Sequence, residues 1–489
     1  MERRNFIKKN ITGLAGIAVL PKIYYSSKSN FFPTGEKQML IGTPVIPVYL
    51  YEKGIPEALR EMQEIGRINT VMTFSHTFQF RQYRKNFGPM TDAAGKEITD
   101  VFVKTNPAYY QRKEWQGKKP DARYADRDIL DELSEAAKPR GMNVYARILE
   151  PYVITGAIPG FEDFAEINTG GEAGKNVCFN HPGYIGYWHS VVEDLIRSHP
   201  HLNGFKFGQE RGGPIMGSLG GEKATCFCKH CLALAKKRDI NASIAREGMK
   251  ALQQFGTGVM KNGEVPRDGF FVSFFRIISQ YPDLLSWEKL WMDSREEQRK
   301  RMYKQIKAIN PLVEVGWHID HGLTWDLITR TFNDYSTMGS YSDWLSIAVY
   351  FDSIGRRSRN HYEKFYQKLL FGDASPQYSY PMYLSMLGLD PEKEPVLEEH
   401  QKKDTPFSSE YVYNECLRAV KAVNKTAKIY ARPGFDMPGY NCNISYQQVY
   451  DAVTRALEAG VDGLWCGREW NEIKPENAKA FGDAVRNYK

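Results

Sequence analysis

Four of the seven cysteines fall where they could share one metal ion. Cys226-Phe227-Cys228-Lys229-His230-Cys231 is a C-x-C-x-x-C run, and Cys178 stands in the segment before it. Three closely spaced thiolates with a fourth from an earlier loop meet the tetrahedral all-sulfur preference of structural zinc. Such a site is closed, so zinc bound there is expected to hold structure and not to catalyse. Free thiols, or a Cys228–Cys231 disulfide in an oxidising compartment, are the alternatives, and His230 could replace Cys178 as fourth ligand. Cys416, Cys442 and Cys466 are scattered and read as packing residues.

A second set of reactive side chains follows apolar runs of strand length. Gly208-Gln209-Glu210-Arg211 ends one, and Trp317-His318-Ile319-Asp320-His321 ends another. Tyr350 and Asp352, Arg432 and Asp436, and Arg468, Glu469, Trp470 and Glu472 close three more. Any one of these could be a solvated loop residue, but the set recurs strand after strand. Aromatic faces pack on sugar rings, while carboxylates, Arg and His bind hydroxyls. Paired carboxylates are also what glycosidic cleavage requires: one protonates the leaving oxygen and the other attacks or stabilises the oxocarbenium-like centre. His318, Asp320 and His321 could instead hold a catalytic metal for isomerase or lyase chemistry. Strand alternation puts only His318 and Asp320 on one face, which makes that a weaker ligand set.

The elements that must position these residues alternate along the chain. Strand-like runs are Leu40–Tyr51, Asn69–Phe74, Asn143–Ile148, Gly204–Phe207, Val313–Trp317, Leu345–Phe351, Lys428–Arg432 and Val461–Cys466. Between them lie helical patterns at Pro56–Ile65, Arg127–Ala137, Tyr184–Ser198, Glu296–Ile309, Leu323–Tyr335, Ser409–Val423 and Tyr446–Ala459. Eight strand–helix units predict an α/β protein, a (β/α)8 TIM barrel, with chemistry at the strand ends. No Gly-rich dinucleotide fingerprint follows the first strand, and no organic cofactor is expected. Residues 232–312 and 353–407 exceed normal connections and are expected to be βα-loop insertions within a single catalytic domain spanning 38–489.

Composition fits this. With 42% hydrophobic and 25% charged residues the chain is neither disordered nor fibrous. The net charge of +7 is unevenly placed: residues 1–30 carry Arg3, Arg4, Lys8, Lys9, Lys22 and Lys28 against Glu2 alone, so five of the seven excess charges lie there. What remains is no footprint for nucleic acid. Paired arginines followed by the short apolar stretch Ile11–Leu20 read as a twin-arginine-type signal segment over 1–30, too short for a membrane anchor. The mature protein is expected to be periplasmic or secreted, with no integral membrane span.

These residues, in this order, resemble the barrel of family 42 glycoside hydrolases, the β-galactosidases. The matching stretches are Asn176–Pro182 around the first cysteine, the C-x-C-x-x-C run, and Glu210 at the end of strand four. Gly208–Pro214, Gly316–Ile319, Pro433–Asp436 and Gly467–Glu472 resemble more closely a set of secreted barrel proteins related to glycoside hydrolases. The resemblance implies zinc at Cys178, Cys226, Cys228 and Cys231, and an acid/base role for Glu210. It departs from the family at Gln209, where Asn is usual, and at strand seven, which offers Arg432 and Asp436 but no glutamate; β-galactosidase activity is therefore not carried over. The family's trimer-forming and β-sandwich domains do not fit the length. The expectation is an exported glycoside hydrolase acting on a carbohydrate, with Glu210 as acid/base, its pKa raised so that it is protonated near neutrality. Asp436 is the expected nucleophile, with Asp320, Glu469 and Glu472 in reserve. Arg211, His318, Arg432 and Arg468 are expected to bind hydroxyls or an acidic substituent, and Trp317, Trp470 and Tyr350 to stack on sugar rings. The alternatives are a metal-dependent isomerase or lyase on the same barrel, and a carbohydrate-binding protein without turnover.

Overall fold

The computed structural model describes residues 39–77, 101–117, 122–154, 158–436 and 442–488. The signal segment expected over 1–30 lies outside them. Eight parallel strands close into a barrel. They are β1 (Leu40–Val45), β2 (Thr70–His76), β3 (Asn143–Leu149), β4 (Gly204–Gly208), β5 (Glu314–His318), β6 (Trp344–Val349), β7 (Lys428–Pro433) and β8 (Gly463–Trp465). Each pairs with its sequence neighbours, and β1 pairs with β8 to close the ring. Between β3 and β4 a two-stranded antiparallel ribbon, Ala165–Ile167 with Ala173–Val177, stands outside the barrel. No described helix is long and apolar enough to cross a membrane.

All eight expected strands are present, and the differences have local causes. The first ends at Val45, because Pro47 opens a helix, Pro47–Lys53, after the extended residue Ile46. Tyr49 and Tyr51 therefore ride on a helix and do not end a strand. The expected helix Leu323–Tyr335 is three short ones, Gly322–Trp325, Leu327–Phe332 and Tyr335–Met338. Asp326 and Asp334 restart it by accepting hydrogen bonds from the N–H groups of Ile328 and Ser336. Within 232–312 the chain builds helices Ala242–Asn262 and Phe270–Gln280, then the long helix Asp283–Ile309 that packs on Pro182–Ser198.

The barrel interior is layered. Met72, Tyr145, Trp344, Tyr430 and Trp465 form one buried apolar layer. Its rings lie 5.4–6.0 Å apart at Tyr145–Trp344, Tyr145–Trp465, Trp344–Tyr430 and Trp344–Trp465. Three glycines make room for them: a Cβ on Gly42, Gly204 or Gly316 would stand 2.0–2.5 Å from Trp465, Tyr145 or Trp344. Two residues further along the same inward faces, the lumen turns polar with Arg147, Lys206, His318, Ser346 and Arg432, all buried. The aromatic layer is thus a floor beneath a charged chamber that opens at the strands' C-terminal ends.

Candidate active site

Strand β4 leads Glu210 into this chamber. Gly208 is its last residue, and a Cβ there would meet the Leu149 side chain at 2.3 Å. Gln209 turns outward to the helix layer and donates from Nε2 to Gln298 Oε1 on helix Asp283–Ile309 at 2.8 Å. Glu210 then projects into the mouth, its side chain 43% exposed, with Oε1 2.9 Å from His318 Nε2. The other ring nitrogen, Nδ1, lies 3.3 Å from Arg432 Nη1. A guanidinium can only donate, so Nδ1 accepts and the imidazole proton sits on Nε2, pointing at Glu210. Burial, together with the cations of Lys206 and Arg432, outweighs the pull of Glu210 and holds His318 down at about 3. For Glu210, burial acts upward but is outweighed by the His318 hydrogen bond and by the charges of His318, Arg357 and Arg147, leaving it at about 2. These two effects are coupled: an imidazole that is neutral above about pH 3 contributes its hydrogen bond but not its charge. At neutral pH the pair is therefore a neutral imidazole donating to a carboxylate. This reverses the expectation of a raised, protonated Glu210, because the sequence does not show which donors converge on the carboxyl.

Around this pair stand side chains from five other strands. Arg147 of β3 lies over the Phe74 ring at 4.2 Å and pairs with Glu469 at 2.5 Å. Glu472, in the turn after β8, is pushed up to about 7 by burial and by the Glu469 charge, against Arg468 and Arg147. Burial and the charge of Glu210 also raise Asp320, whose Oδ1 accepts from the Gly322 N–H at 2.7 Å. Tyr350 stacks against His318 with ring centres 6.4 Å apart, and the Arg432 guanidinium lies 5.6 Å from its ring. Arg468 stands 3.8 Å from Asp352, a fully buried carboxyl raised to about 6 by burial against the pull of Arg468 and Arg357. Lys206 donates to Ser346 Oγ at 3.5 Å, and burial with the Arg432 and Arg147 charges pushes its amine well below its ordinary value.

Of the residues expected from sequence, the mouth thus brings together Glu210, His318, Asp320, Tyr350, Arg432, Arg468, Glu469 and Glu472. It adds Arg147, Lys206 and Arg357, and it also holds Asp352, which the sequence placed beside Tyr350. The first two carried a readable signal, since each is a charge on the inward face of an otherwise apolar strand. Four expected residues lie elsewhere. Trp317 alternates with the inward His318, so it points out to the helices and donates to Tyr341 O at 2.9 Å. Trp470 is buried against helix Ile55–Gly66 and donates to Glu61 Oε1 at 2.8 Å. Asp436 accepts from the Ile444 N–H at 2.6 Å and pairs with Lys474 at 2.7 Å, so its carboxylate fastens the chain after β7 to the start of the last helix. Arg211 is buried between Glu166 at 2.9 Å and Glu150 at 3.5 Å. Its guanidinium lies 4.0 Å from the Phe179 ring and faces away from the opening.

The His318, Asp320 and His321 cluster is not a metal site in this arrangement. His321 is turned to Arg357 at 2.8 Å through Nδ1 and to Tyr411 at 3.2 Å through Nε2. Among the described residues two groups could hold a metal. One is Asp128, Asp131 and His199, where Asp128 already accepts from the N–H groups of Lys104, Leu130 and Asp131. The other is Cys178, Cys226, Cys228 and Cys231, all buried, all free thiols, their sulfurs within 4.8 Å of one another. Cys178 Sγ is 3.5 Å from both Cys228 and Cys231. Four sulfurs around an ion at tetrahedral zinc–sulfur distances would stand roughly 3.8 Å apart. Backbone Ile167 N–H and the Asn180 amide each approach a sulfur at 3.4 Å, as donors to thiolates do. The donor set fits a metal ion.

No protein-family model matches the sequence, and no curated protein matches it. Solved structures do. A β-galactosidase from the psychrophilic Marinomonas ef1 is 12% identical over 91% of this chain, with a TM-score of 0.50; the match covers 59% of that chain. A β-galactosidase from the Antarctic haloarchaeon Halorubrum lacusprofundi is 14% identical over 91% of this chain and 58% of its own, with a TM-score of 0.49. The glycoside hydrolase domain of PgaB (BpsB) from Bordetella bronchiseptica is 11% identical over 92% of this chain and 98% of its own, with a TM-score of 0.47. At these identities the likeness is one of fold alone, the barrel fold of the Marinomonas β-galactosidase.

Proposed function

We propose that the protein is an exported glycoside hydrolase acting on a carbohydrate, with the four cysteines binding structural zinc and no organic cofactor. The observation that carries this is a pair of carboxyl groups in one mouth whose surroundings push their pKa values apart, Glu210 to about 2 and Glu472 to about 7. Glycoside cleavage needs one carboxyl that holds a proton and one that does not, and this contrast between two carboxyls of one chamber supports that division of roles. Glu472 gives its proton to the leaving oxygen, and Glu210 attacks or stabilises the anomeric centre. This replaces the expected roles of Glu210 and Asp436. Tyr350 offers the ring for stacking, and Arg432 and Arg468 hold hydroxyls or an acidic substituent. Export rests on the twin-arginine pattern at Arg3-Arg4.

The test is turnover of a panel of glycosides, acidic ones included, by wild type, Glu210→Gln and Glu472→Gln. Loss of about 10²- to 10⁴-fold in each variant is expected. Turnover unchanged in either variant removes that residue from the mechanism. Carbohydrate binding without turnover is the second reading, favoured because the inward residue closing β7 is Arg432 and not a carboxylate. Wild-type binding that survives both substitutions, with no cleavage, would establish it.

A further inference from the structure

The cysteine cluster and Glu210 are joined by a continuous chain of buried and half-buried contacts. Cys226 Sγ accepts from the Ile167 N–H at 3.4 Å, and the Phe227 N–H donates to Ile167 O at 2.6 Å. These bonds lock the C-x-C-x-x-C run to the ribbon strand Ala165–Ile167. The middle residue of that strand is Glu166, 1% exposed. Its carboxylate accepts from Thr225 Oγ1 at 2.7 Å, from Trp291 Nε1 at 3.3 Å and from Arg211 Nη2 at 2.9 Å. Arg211 is the residue after Glu210, and its backbone oxygen accepts from Arg295 Nη1 at 3.1 Å. The second carboxylate near Arg211, Glu150, is 3.5 Å away and is itself pushed up by burial, so Glu166 carries most of the guanidinium's compensation. Removing the close partner of a buried cation is strongly destabilising.

We infer that Glu166 is a positioning residue through which the metal-bound cysteine centre fixes the backbone carrying Glu210. The ribbon acts as a strut between the two sites: removing the ion loosens Cys226, then Ile167 and Glu166, and through Arg211 the segment that aims Glu210 into the mouth. Its consequence for catalysis rests on the hydrolase reading, whereas the linkage itself is measurable without substrate.

The experiment is hydrogen–deuterium exchange by mass spectrometry on the full chain, zinc-loaded and then stripped by chelator under reducing conditions. Glu166→Gln and the exposed control Glu172→Gln are compared as zinc-loaded proteins, with zinc content measured for each. Stripping is expected to speed exchange about tenfold in residues 165–177 and 208–213 while helix Tyr446–Glu458 stays protected. Glu166→Gln is expected to keep its zinc and yet speed exchange by about as much in 208–213, with Glu172→Gln unchanged. Equal protection of 208–213 with and without zinc, failure to bind zinc, or a Glu166→Gln variant indistinguishable from wild type overturns the inference. If stripping unfolds the whole chain, the zinc-loaded Glu166→Gln comparison decides alone. Coupled exchange in a protein that cleaves no glycoside would leave the strut standing and sink the hydrolase reading.

Discussion

The residue that organises the mouth is His318, because its tautomer decides the charge of Glu210. With Nδ1 committed to Arg432, the ring donates through Nε2 and keeps Glu210 ionised down to about 2. The sign of the pH dependence follows. A reaction needing Glu210 ionised and Glu472 protonated gains activity as pH rises through about 2 and loses it as pH rises through about 7. The profile of kcat/KM should show both limbs, and Glu472→Gln should lose the alkaline one along with most of the rate. His318→Asn removes the ring donor and should move the acid limb up toward the ordinary glutamate value of about 4.3. An acid limb that stays at about 2 in that variant would mean that the arginines alone hold the carboxylate.

At the scale of elements, the barrel is specified by large and small residues that fit one another across strands. Gly316 faces the Trp344 ring so closely that a Cβ would lie 2.0 Å from it. Gly316→Ala should therefore destabilise by about 1–3 kcal/mol, read from urea unfolding. A second element-level device joins the start of helix Ile129–Ala137 to the end of helix Pro182–Ser198. His199 Nδ1 faces Leu195 O at 2.8 Å and Nε2 faces Asp128 Oδ2 at 3.1 Å, so both nitrogens donate and the ring is charged. Burial pulls His199 down, but the hydrogen bond and charge of Asp128 outweigh it and leave it raised; Asp128 is lowered in return, burial being outweighed by His199. The His199 contribution is complete below its ordinary value of about 6.5 and lost as pH rises through its raised value. The Asp128 contribution is complete above about 3.9 and lost as pH falls through its lowered value. Thermal stability should therefore be highest between these limits and should decline on the alkaline side, a decline His199→Gln removes along with about 3 kcal/mol or more of stability.

Taken over the whole molecule, the sequence made the fold legible because eight apolar runs of strand length are separated by seven helical patterns, and every strand but the first, which stops at Val45, ends within a few residues of its expected place. The site was only half legible because side chains alternate along a strand. A strand end presents neighbours to opposite sides, and only the structure says that His318 faces in and Trp317 out. Arg211 and Asp436 were misplaced because ion-pair partners remote in sequence hold them, Glu166 for the first and Lys474 for the second. Glu472 was visible only as a reserve, since its raised pKa depends on Glu469 and on burial that no local pattern encodes. The cysteine cluster was the most readable feature, its spacing being its own evidence. The purified chain should carry one zinc ion, and Cys226→Ser should lower zinc content and thermal stability together.

The ring of Tyr145, Trp344, Tyr430 and Trp465 across the lumen also determines traffic. With that end stoppered, whatever reaches Glu210 enters and leaves by the doorway at the other end. In the proposed hydrolase, a leaving aglycone, an incoming water and an escaping proton would share that one threshold. Product held at the doorway should compete directly with fresh substrate, so inhibition by the released sugar should be competitive.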